Sequence, residues 1–220
     1  MPKTRKLLVV LLCAGLLIGC DKDKEEPKVP AEGEPAKPRD SGPEEVALAI
    51  VSAMETGDAE AVGELYDCSE EDRDCLERLA PIASKMSAFA YAGEKAYGRK
   101  AWAAAAEKVG MPNMADPVFP TVAEARGKIQ CKVEGDKATC TVPILEKPLS
   151  MVRKDGKWYA VPTDLPEMKQ REQVIHMMLA MVKGIDVVQG KIGKAGVTAD
   201  QIFTEFAEAF KKAMAPPPSP

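Results

Sequence analysis

The chain is poor in the residues that most often build enzyme sites. Its 220 residues include one histidine, His176, with two tryptophans, four tyrosines and five phenylalanines. It contains no phosphate-binding loop, no Gly-x-Ser-x-Gly elbow, no His-Glu-x-x-His pair and no dinucleotide-binding fingerprint. The sequence therefore predicts no cofactor, no metal ligand and no catalytic residue.

A basic excess is also missing. From Cys20 onward, 27 basic side chains stand against 34 acidic ones, which gives a net charge of −7. Proteins that bind nucleic acids or anionic lipids need a positively charged face. The charge balance therefore argues against a nucleic-acid partner and against an anionic-lipid binder.

The N-terminal apolar run is short for a membrane-spanning segment, because a transmembrane helix needs roughly 20 apolar residues. The apolar run that starts at Leu7 ends at Cys20, and four charged residues follow it. Three basic residues precede the run, and the small Gly19 comes just before Cys20. This three-part layout is typical of a secretory signal, with a thiol in place of an ordinary cleavage motif.

The stretch Leu17-Ile18-Gly19-Cys20 resembles the lipobox of bacterial lipoproteins. The resemblance implies that residues 1–19 are removed as a signal peptide and that Cys20 receives a diacylglycerol and an amide-linked acyl chain. Several acyl chains anchor a protein firmly, whereas one binds reversibly. The partner implied is a lipid bilayer, and the location is the cell envelope, facing the periplasm. In enteric bacteria an aspartate after the lipidated cysteine favours the inner membrane, so Asp21 favours it over the outer membrane.

The mature chain divides by composition into three parts. Residues 20–43 hold the anchor and a stretch with almost no large apolar side chain, which predicts a disordered tether stiffened by prolines. Residues 215–220 form a proline-rich tail. About 170 residues lie between them, the size of one domain.

Helical patterns open this central part. Ser41 and Gly57 are the predicted ends of a first helix, and Asp58 is the predicted cap of a short second one. A longer helical region is predicted from about Asp74 to Val109, with a break or kink at Pro81.

The pattern then changes to that of strands. Four strands are predicted at 128–133, 137–144, 150–153 and 157–161, and Gly135-Asp136 and Asp155-Gly156 are predicted hairpin turns. Helical spacing returns afterwards, with predicted capping boxes at Asp164 and Thr198.

The run 49–66, followed by 133–138 and 154–158, resembles small bacterial lipoproteins of the nuclear-transport-factor-two-like superfamily. The resemblance implies an α+β fold in which N-terminal helices lie in a curved antiparallel sheet, like a cone, over residues 44–163. Residues 164–214 then form two additional helices, which either cover the mouth of the cone or build a separate docking surface.

Four cysteines remain after Cys13 is cleaved away and Cys20 is lipidated, and four allow three pairings. If Gly135-Asp136 is a two-residue turn, Cys131 and Cys140 face each other at a non-hydrogen-bonded site of the hairpin. Their Cα atoms then lie about 4.5 Å apart, which is within reach of a disulfide. This pairing leaves Cys68 with Cys75, which can meet only if residues 69–73 form a loop. Neither pair has the spacing of zinc ligands or of a redox Cys-x-x-Cys motif.

Three further features allow a functional interpretation. Tyr66 and Trp158 are candidates for the lining of a pocket inside the cone. The acidic stretch 67–74 could supply calcium ligands, but it lacks the ligand order of an EF-hand, and carboxylates at a helix start are expected without a metal. The methionines Met177, Met178 and Met181 indicate either an adaptable apolar surface or ordinary core packing.

These features lead to three functional hypotheses. The first is a membrane-anchored module that binds an apolar small molecule or an envelope protein. The second is a small hydrolase or isomerase that uses Tyr66 and nearby carboxylates, since the superfamily that the chain resembles includes isomerases and dehydratases that place Asp, His or Tyr in the cone. The third is a purely structural lipoprotein. A pocket with converging polar groups would favour the enzyme, whereas a filled cone would favour scaffolding.

Overall fold

The computed structural model describes residues 42–163 and 165–215. The predicted signal peptide, Cys20, nearly all of the predicted tether, the predicted caps Ser41 and Asp164, and the end of the proline-rich tail lie outside these residues. The described part is an α+β fold, as predicted. Along the chain, five α-helices precede a four-stranded antiparallel sheet and two α-helices follow it.

Seven α-helices and four strands are described. The helices are α1 (Pro43–Thr56), α2 (Ala59–Leu65), α3 (Glu70–Tyr97), α4 (Arg99–Lys108), α5 (Val122–Ala125), α6 (Met168–Val188) and α7 (Ala199–Met214). The strands are β1 (Gln130–Glu134), β2 (Lys137–Thr141), β3 (Leu149–Lys154) and β4 (Lys157–Val161). Short 3₁₀ turns follow α4 and α6. Among the described helices none is long and apolar enough to cross a membrane.

The first two helices follow the sequence closely. Gly57 ends α1 in the left-handed conformation, with φ 72°. The side chain of Asp58 then caps α2 by accepting a hydrogen bond from the Ala61 N–H at 3.1 Å. At the other end of α1 the cap is Gly42, because Pro43 already occupies the first helical position.

The third helix differs from its prediction at both places where its course was expected to change. It begins at Glu70, capped by the Ser69 hydroxyl, and not at Asp74. The helix is 28 residues long and continues through Pro81. It ends at Gly98, whose φ of 79° is a conformation that favours glycine. Packed neighbours on both sides stabilise α3 around Pro81, so the single hydrogen bond that proline removes does not end the helix.

The sheet has the predicted meander, with strands in the order β1-β2-β3-β4. Glu134 pairs with Lys137 and Lys154 pairs with Lys157, so both hairpins have the predicted two-residue turns. Asp155 and Gly156 both have positive φ, which is the geometry of a type I′ turn. The strand ends moved by a few residues relative to the prediction, and β2 is three residues shorter.

One hydrophobic cluster lies between the sheet and the N-terminal helices. Helices α1 and α2 contribute Val46, Ile50 and Val62, which are at most 2% exposed. The strands contribute alternate residues that face these helices. They are Ala138, Cys140, Met151, Trp158 and Ala160.

A second cluster lies among the helices and contains five of the eleven aromatic residues. Trp102 on α4 packs against Phe89 on α3 and Phe203 on α7, with ring centroids 5.0 and 4.4 Å from its own. Phe206 stacks on Phe89 at 5.7 Å, and Tyr97 stacks on Trp102 at 5.8 Å. The few aromatic side chains are therefore concentrated in one place.

The two C-terminal helices pack on α3 and α4 rather than over the sheet. The first of them, α6, starts at Met168 with Glu167 as its cap, and Glu167 makes no side-chain capping bond. It runs in the same direction as α3, and ion pairs join the two helices at Asp72–Arg171, Arg78–Glu172 and Lys85–Asp186. The second, α7, begins with the predicted capping box of Thr198 and Gln201.

Candidate functional site

The predicted disulfide between Cys131 and Cys140 is present. Their Cα atoms lie 4.0 Å apart on β1 and β2, at the register position that the hairpin turn predicted. Cys140 is fully buried, and its Sγ lies 3.7 Å from Sδ of Met151 on β3. The bond therefore fastens the first strand of the sheet to the covered core.

The predicted second disulfide is wrong, because Cys68 and Cys75 are free thiols in the structure. The pairing required a loop over residues 69–73, whereas Ser69 caps α3 and Glu70 begins it. Six helical steps from Ser69 to Cys75 rise about 9 Å along the axis, more than the Cα separation of a disulfide. Burial raises the pKa of both thiols, so neither has the low pKa of a reactive cysteine.

The two predicted pocket residues, Tyr66 and Trp158, lie in the same apolar cluster beneath the sheet. Each is 9% exposed. Tyr66 forms a parallel bridge with Ala160 of β4, and the Asp67 N–H donates to the Ala160 carbonyl at 2.8 Å. The chain after α2 is thereby attached to the β4 edge, which draws Tyr66 into the core.

The electrostatics of Tyr66 do not suit it for proton abstraction. Burial raises its pKa to about 12, with a smaller contribution from the Cys68 thiol. Its phenol is therefore neutral at physiological pH. The adjacent carboxylate of Asp67 pairs with the Lys154 ammonium at 2.6 Å, so it is directed to the sheet surface.

Trp158 is covered by a cation. The guanidinium carbon of Arg153 lies 5.5 Å from the centre of the indole ring. Asp136 holds this guanidinium by accepting hydrogen bonds from its Nε at 2.9 Å and its Nη2 at 2.8 Å. A positioned guanidinium over an indole face is a stabilising contact, and here it closes one end of the core.

Two shallow depressions occur on the outside of the described structure. One, of about 510 Å³, lies on the β1–β2 hairpin, and another, of about 440 Å³, lies at the start of α3. Neither is lined by Tyr66 or Trp158. The first is lined by Gln130, Cys131, Lys132, Glu134, Lys137, Ala138, Thr139 and Thr141.

The solvent-facing side of the sheet is the polar surface to which the larger depression belongs. Side chains alternate along a strand, so the residues between the buried ones point to this side. Each of the four strands places one lysine on it, and these lysines, Lys132, Lys137, Lys154 and Lys157, are all exposed. We call this surface the basic sheet face.

The basic sheet face belongs to a locally basic segment of an acidic protein. Residues 126–161 carry eight basic and four acidic side chains, whereas the other described residues carry 14 basic and 22 acidic ones. The net charge of the whole chain averages over this separation. A net charge counted for the strand region alone, together with its period of two, could have revealed it.

The acidic stretch forms the start of a helix in the structure. Glu70, Glu71 and Asp72 occupy the first turn of α3, where the helix dipole favours carboxylates. Asp72 pairs with Arg171. Within residues 42–163 and 165–215, no cluster of three or more histidine, cysteine or acidic residues is arranged to hold a metal ion.

The methionines of α6 divide between packing and surface. Met178 is 6% exposed and packs with Ile82 and Val174, while Met177 and Met181 are half-buried. His176 is exposed on the same helix. Two of the three methionines are therefore neither fully buried nor fully exposed.

A polar cluster that was not predicted from the sequence attaches the segment after α4 to α3. The buried Ser87 hydroxyl accepts hydrogen bonds from the Val118 and Phe119 N–H groups at 3.0 and 3.1 Å. The Tyr91 hydroxyl donates to the Glu124 carboxylate at 2.5 Å. The partners are about 30 residues apart in the chain, and no local pattern indicates them.

The ionisation of this pair follows from its contacts. Burial, and then the hydrogen bond to Glu124, raise the pKa of Tyr91. Burial opposes ionisation of Glu124, but hydrogen bonds from Tyr91 and from the Thr121 backbone and hydroxyl outweigh it and lower its pKa. Glu124 also completes the capping box of α5, so its role is structural.

No protein-family model, curated protein or solved structure matches the chain. The resemblances to bacterial lipoproteins and to the nuclear-transport-factor-two-like superfamily therefore stay predictions from the sequence.

Proposed function

We propose that the protein is a lipid-anchored lipoprotein of the cell envelope whose folded part acts as a binding or scaffolding module, not as an enzyme. The lipobox-like stretch before Cys20 supports the anchor. The low number of titratable groups with catalytic potential supports the second half of the proposal, since the one histidine is exposed and the two free thiols have raised pKa values.

One observation carries the proposal. The side of the sheet that faces α1 and α2 is filled with apolar side chains, among them both residues predicted to line a pocket. A ligand the size of a small metabolite would have to displace Trp158, Met151 and Ile50 to enter it. Recognition is therefore assigned to the outer surface, which suits a macromolecular partner better than an enclosed small molecule.

The hydrolase or isomerase hypothesis gains little support from the site. Tyr66 is buried with a pKa of about 12, and the nearest carboxylate along the chain, that of Asp67, pairs with Lys154. A general base must lie within hydrogen-bond reach of its substrate. No observation on the described residues favours this second function over the first.

The anchor is tested by mass. The full chain is expressed in a bacterium with its own signal sequence, extracted from membranes in detergent and weighed intact, beside a Cys20→Ser variant. We expect the native chain to start at residue 20 and to carry diacylglycerol and acyl masses that the variant lacks. An unmodified native chain would overturn the anchoring part of the proposal.

The binding part is tested on the same lipidated chain by native mass spectrometry from detergent micelles. We expect either the protein alone or the protein with a second polypeptide. A stoichiometric small molecule that survives detergent extraction and leaves on unfolding would contradict the filled core and favour the ligand-binding or enzyme hypotheses.

A further inference from the structure

We propose that the basic sheet face rests on the anionic phospholipid surface of the membrane that holds the protein's own anchor. The inference rests on the lipoprotein function proposed above and names the surface and the partner. It also reverses an expectation from the sequence, in which an overall negative charge argued against binding to anionic lipids.

The strand register places the lysines close together on one side of the sheet. Lys132 lies opposite Thr139, which lies opposite Ser150, and Lys137 lies opposite Val152, which lies opposite Tyr159. Neighbouring strands are about 4.8 Å apart, so the four strands form a surface roughly 15 Å wide. Thr139, Ser150 and Tyr159 therefore bring hydroxyl groups to the same side of the sheet as the lysine ammonium groups. Both kinds of group bind phosphate oxygens, and the surface they share is as wide as a few lipid headgroups.

Part of this charge is balanced by neighbours, and part of it is not. Lys132 pairs with Glu134 at 2.7 Å and Lys154 pairs with Asp67 at 2.6 Å. Glu134 is the one carboxylate that the strands themselves place on this side. The lysines on the basic sheet face thus outnumber its acidic groups, and the face keeps a positive surplus toward solvent.

The rest of the molecule favours the same orientation. The described residues outside the segment 126–161 have eight more acidic than basic side chains, while this segment has four more basic ones. Near a negatively charged membrane such a molecule experiences a torque that turns its basic side toward the surface. The acidic helices are then directed away from the headgroups.

Two observations favour a bilayer over a soluble polyanion as the partner. The chain between Cys20 and the first described residue, Gly42, spans at most about 75 Å when extended, so the anchor holds the domain close to headgroups at all times. The loop between β2 and β3 also exposes an aliphatic side chain, Ile144, which is 49% exposed. An exposed apolar side chain in a loop between two strands of the basic sheet face suits a membrane interface, where it enters the acyl boundary.

The test uses the full lipidated chain with a photoreactive benzoylphenylalanine at Thr139, in the centre of the basic sheet face. A matched position is Thr204, which is exposed on α7, on the acidic helical side. The protein is reconstituted in vesicles of phosphatidylethanolamine with or without 30% phosphatidylglycerol, irradiated, and the covalent adducts are identified by mass. Because each lysine near an anionic surface favours the bound state by roughly fivefold, we expect at least a fivefold excess of lipid adducts at Thr139 over Thr204 with phosphatidylglycerol.

Charge is tested with a triple variant, Lys132→Gln, Lys137→Gln and Lys157→Gln. Its matched control is Lys100→Gln, Lys194→Gln and Lys212→Gln, which removes the same charge from exposed positions on the helical side. We expect the first variant, and not the control, to lose the excess at Thr139. Equal adducts at both positions, an excess that does not need phosphatidylglycerol, or an equal loss in both triple variants would overturn the inference.

A further arm in living cells distinguishes the partner. Irradiation of cells that carry the Thr139 probe is expected to give lipid adducts, whereas a protein adduct there would overturn the lipid assignment. The intact mass separates the two proposals. Acylated protein without the lipid excess contradicts the basic sheet face alone, whereas protein without acyl chains contradicts the anchor and, with it, this inference.

Discussion

The indole ring of Trp102 lies where a side chain on Gly93 would stand. A Cβ atom built on Gly93 would be 2.1 Å from Cε2 of Trp102, which no real contact allows. Gly93 lies inside α3, four residues before its last residue, where glycine costs helix stability relative to alanine. Glycine therefore occupies position 93 because the Trp102 ring of α4 packs directly against it, and not because helix α3 itself requires glycine there.

Gly93→Ala is expected to destabilise the protein by about 2 kcal/mol, because the clash with a fully buried ring outweighs the gain in helix propensity. Chemical denaturation followed by circular dichroism measures it. The control is Gly63→Ala in α2, where the nearest atom to a new Cβ is the carboxylate end of Glu77, which can rotate away. If both variants lost the same stability, the packing explanation would be wrong.

Reduction of the Cys131–Cys140 bond is expected to lower the free energy of unfolding by roughly 2.5 kcal/mol, the value for a closed loop of this length. The two cysteines are nine residues apart. Melting with and without dithiothreitol measures the change. A Cys131→Ala/Cys140→Ala double variant should melt at one temperature under both conditions, and a reductant effect in that variant would show that another disulfide is involved.

Cys68 and Cys75 are expected to differ in their reaction with maleimide. In the native protein the half-buried Cys68 should be labelled slowly, while the 2% exposed Cys75 should be labelled only after unfolding. Since burial raises both pKa values above 9.0, the rate at Cys68 should still be rising at pH 9. Protein from the periplasm that gave no label after unfolding without reductant would support the Cys68–Cys75 disulfide instead.

Tyr91→Phe is expected to cost about 1.5 kcal/mol at pH 7, because it removes a hydrogen bond to an ionised carboxylate. The pKa of Glu124 is lower in the folded protein than in the unfolded chain, so this stabilisation is present above the unfolded value of 4.5. It is lost as the pH falls through the lowered folded value. Denaturation of both proteins from pH 7 to pH 3 should therefore show a penalty that shrinks toward acid.

Tyr159→Phe is the matched control for this prediction. Tyr159 is half-buried on the basic sheet face and is not part of the polar cluster around Ser87. Its substitution should change stability little and by the same amount at every pH. A penalty for Tyr91→Phe that stayed constant down to pH 3 would mean that Glu124 is not the group it stabilises.

Local signals predicted a large part of the fold. The Gly57-Asp58 junction between α1 and α2 and the register of Cys131 with Cys140 depend on residues that are near each other in the chain, and both were predicted correctly. Where two local signals competed, no local pattern distinguished between them. Ser69 and Asp74 are both good helix caps, and the pairing of Asp72 with Arg171, 99 residues away, favours the earlier start.

The parts that could not be predicted depend on distant contacts. Phe89, Trp102 and Phe206 come from three helices, and only their meeting makes one core of them. The same holds for the candidate site. Tyr66 and Trp158 were predicted to line a pocket, whereas both lie in a filled apolar cluster. That the space between helices and sheet is filled depends on the summed volume of side chains from α1, α2 and the strands. The basic sheet face could be recognised only once the register of these strands was known.

Helix α3 has a consequence for how the protein can be divided. Its first half packs on the N-terminal helices near the sheet, and its second half carries Phe89 into the aromatic cluster. At about 1.5 Å per residue the helix is some 42 Å long, and each half is held by a different group of neighbours. A chain cut after residue 163 would leave Phe89 and Trp102 without Phe203 and Phe206, and the resulting exposed surface would invite aggregation. The segment that looks like an appendix in the sequence is therefore indispensable to the part it follows.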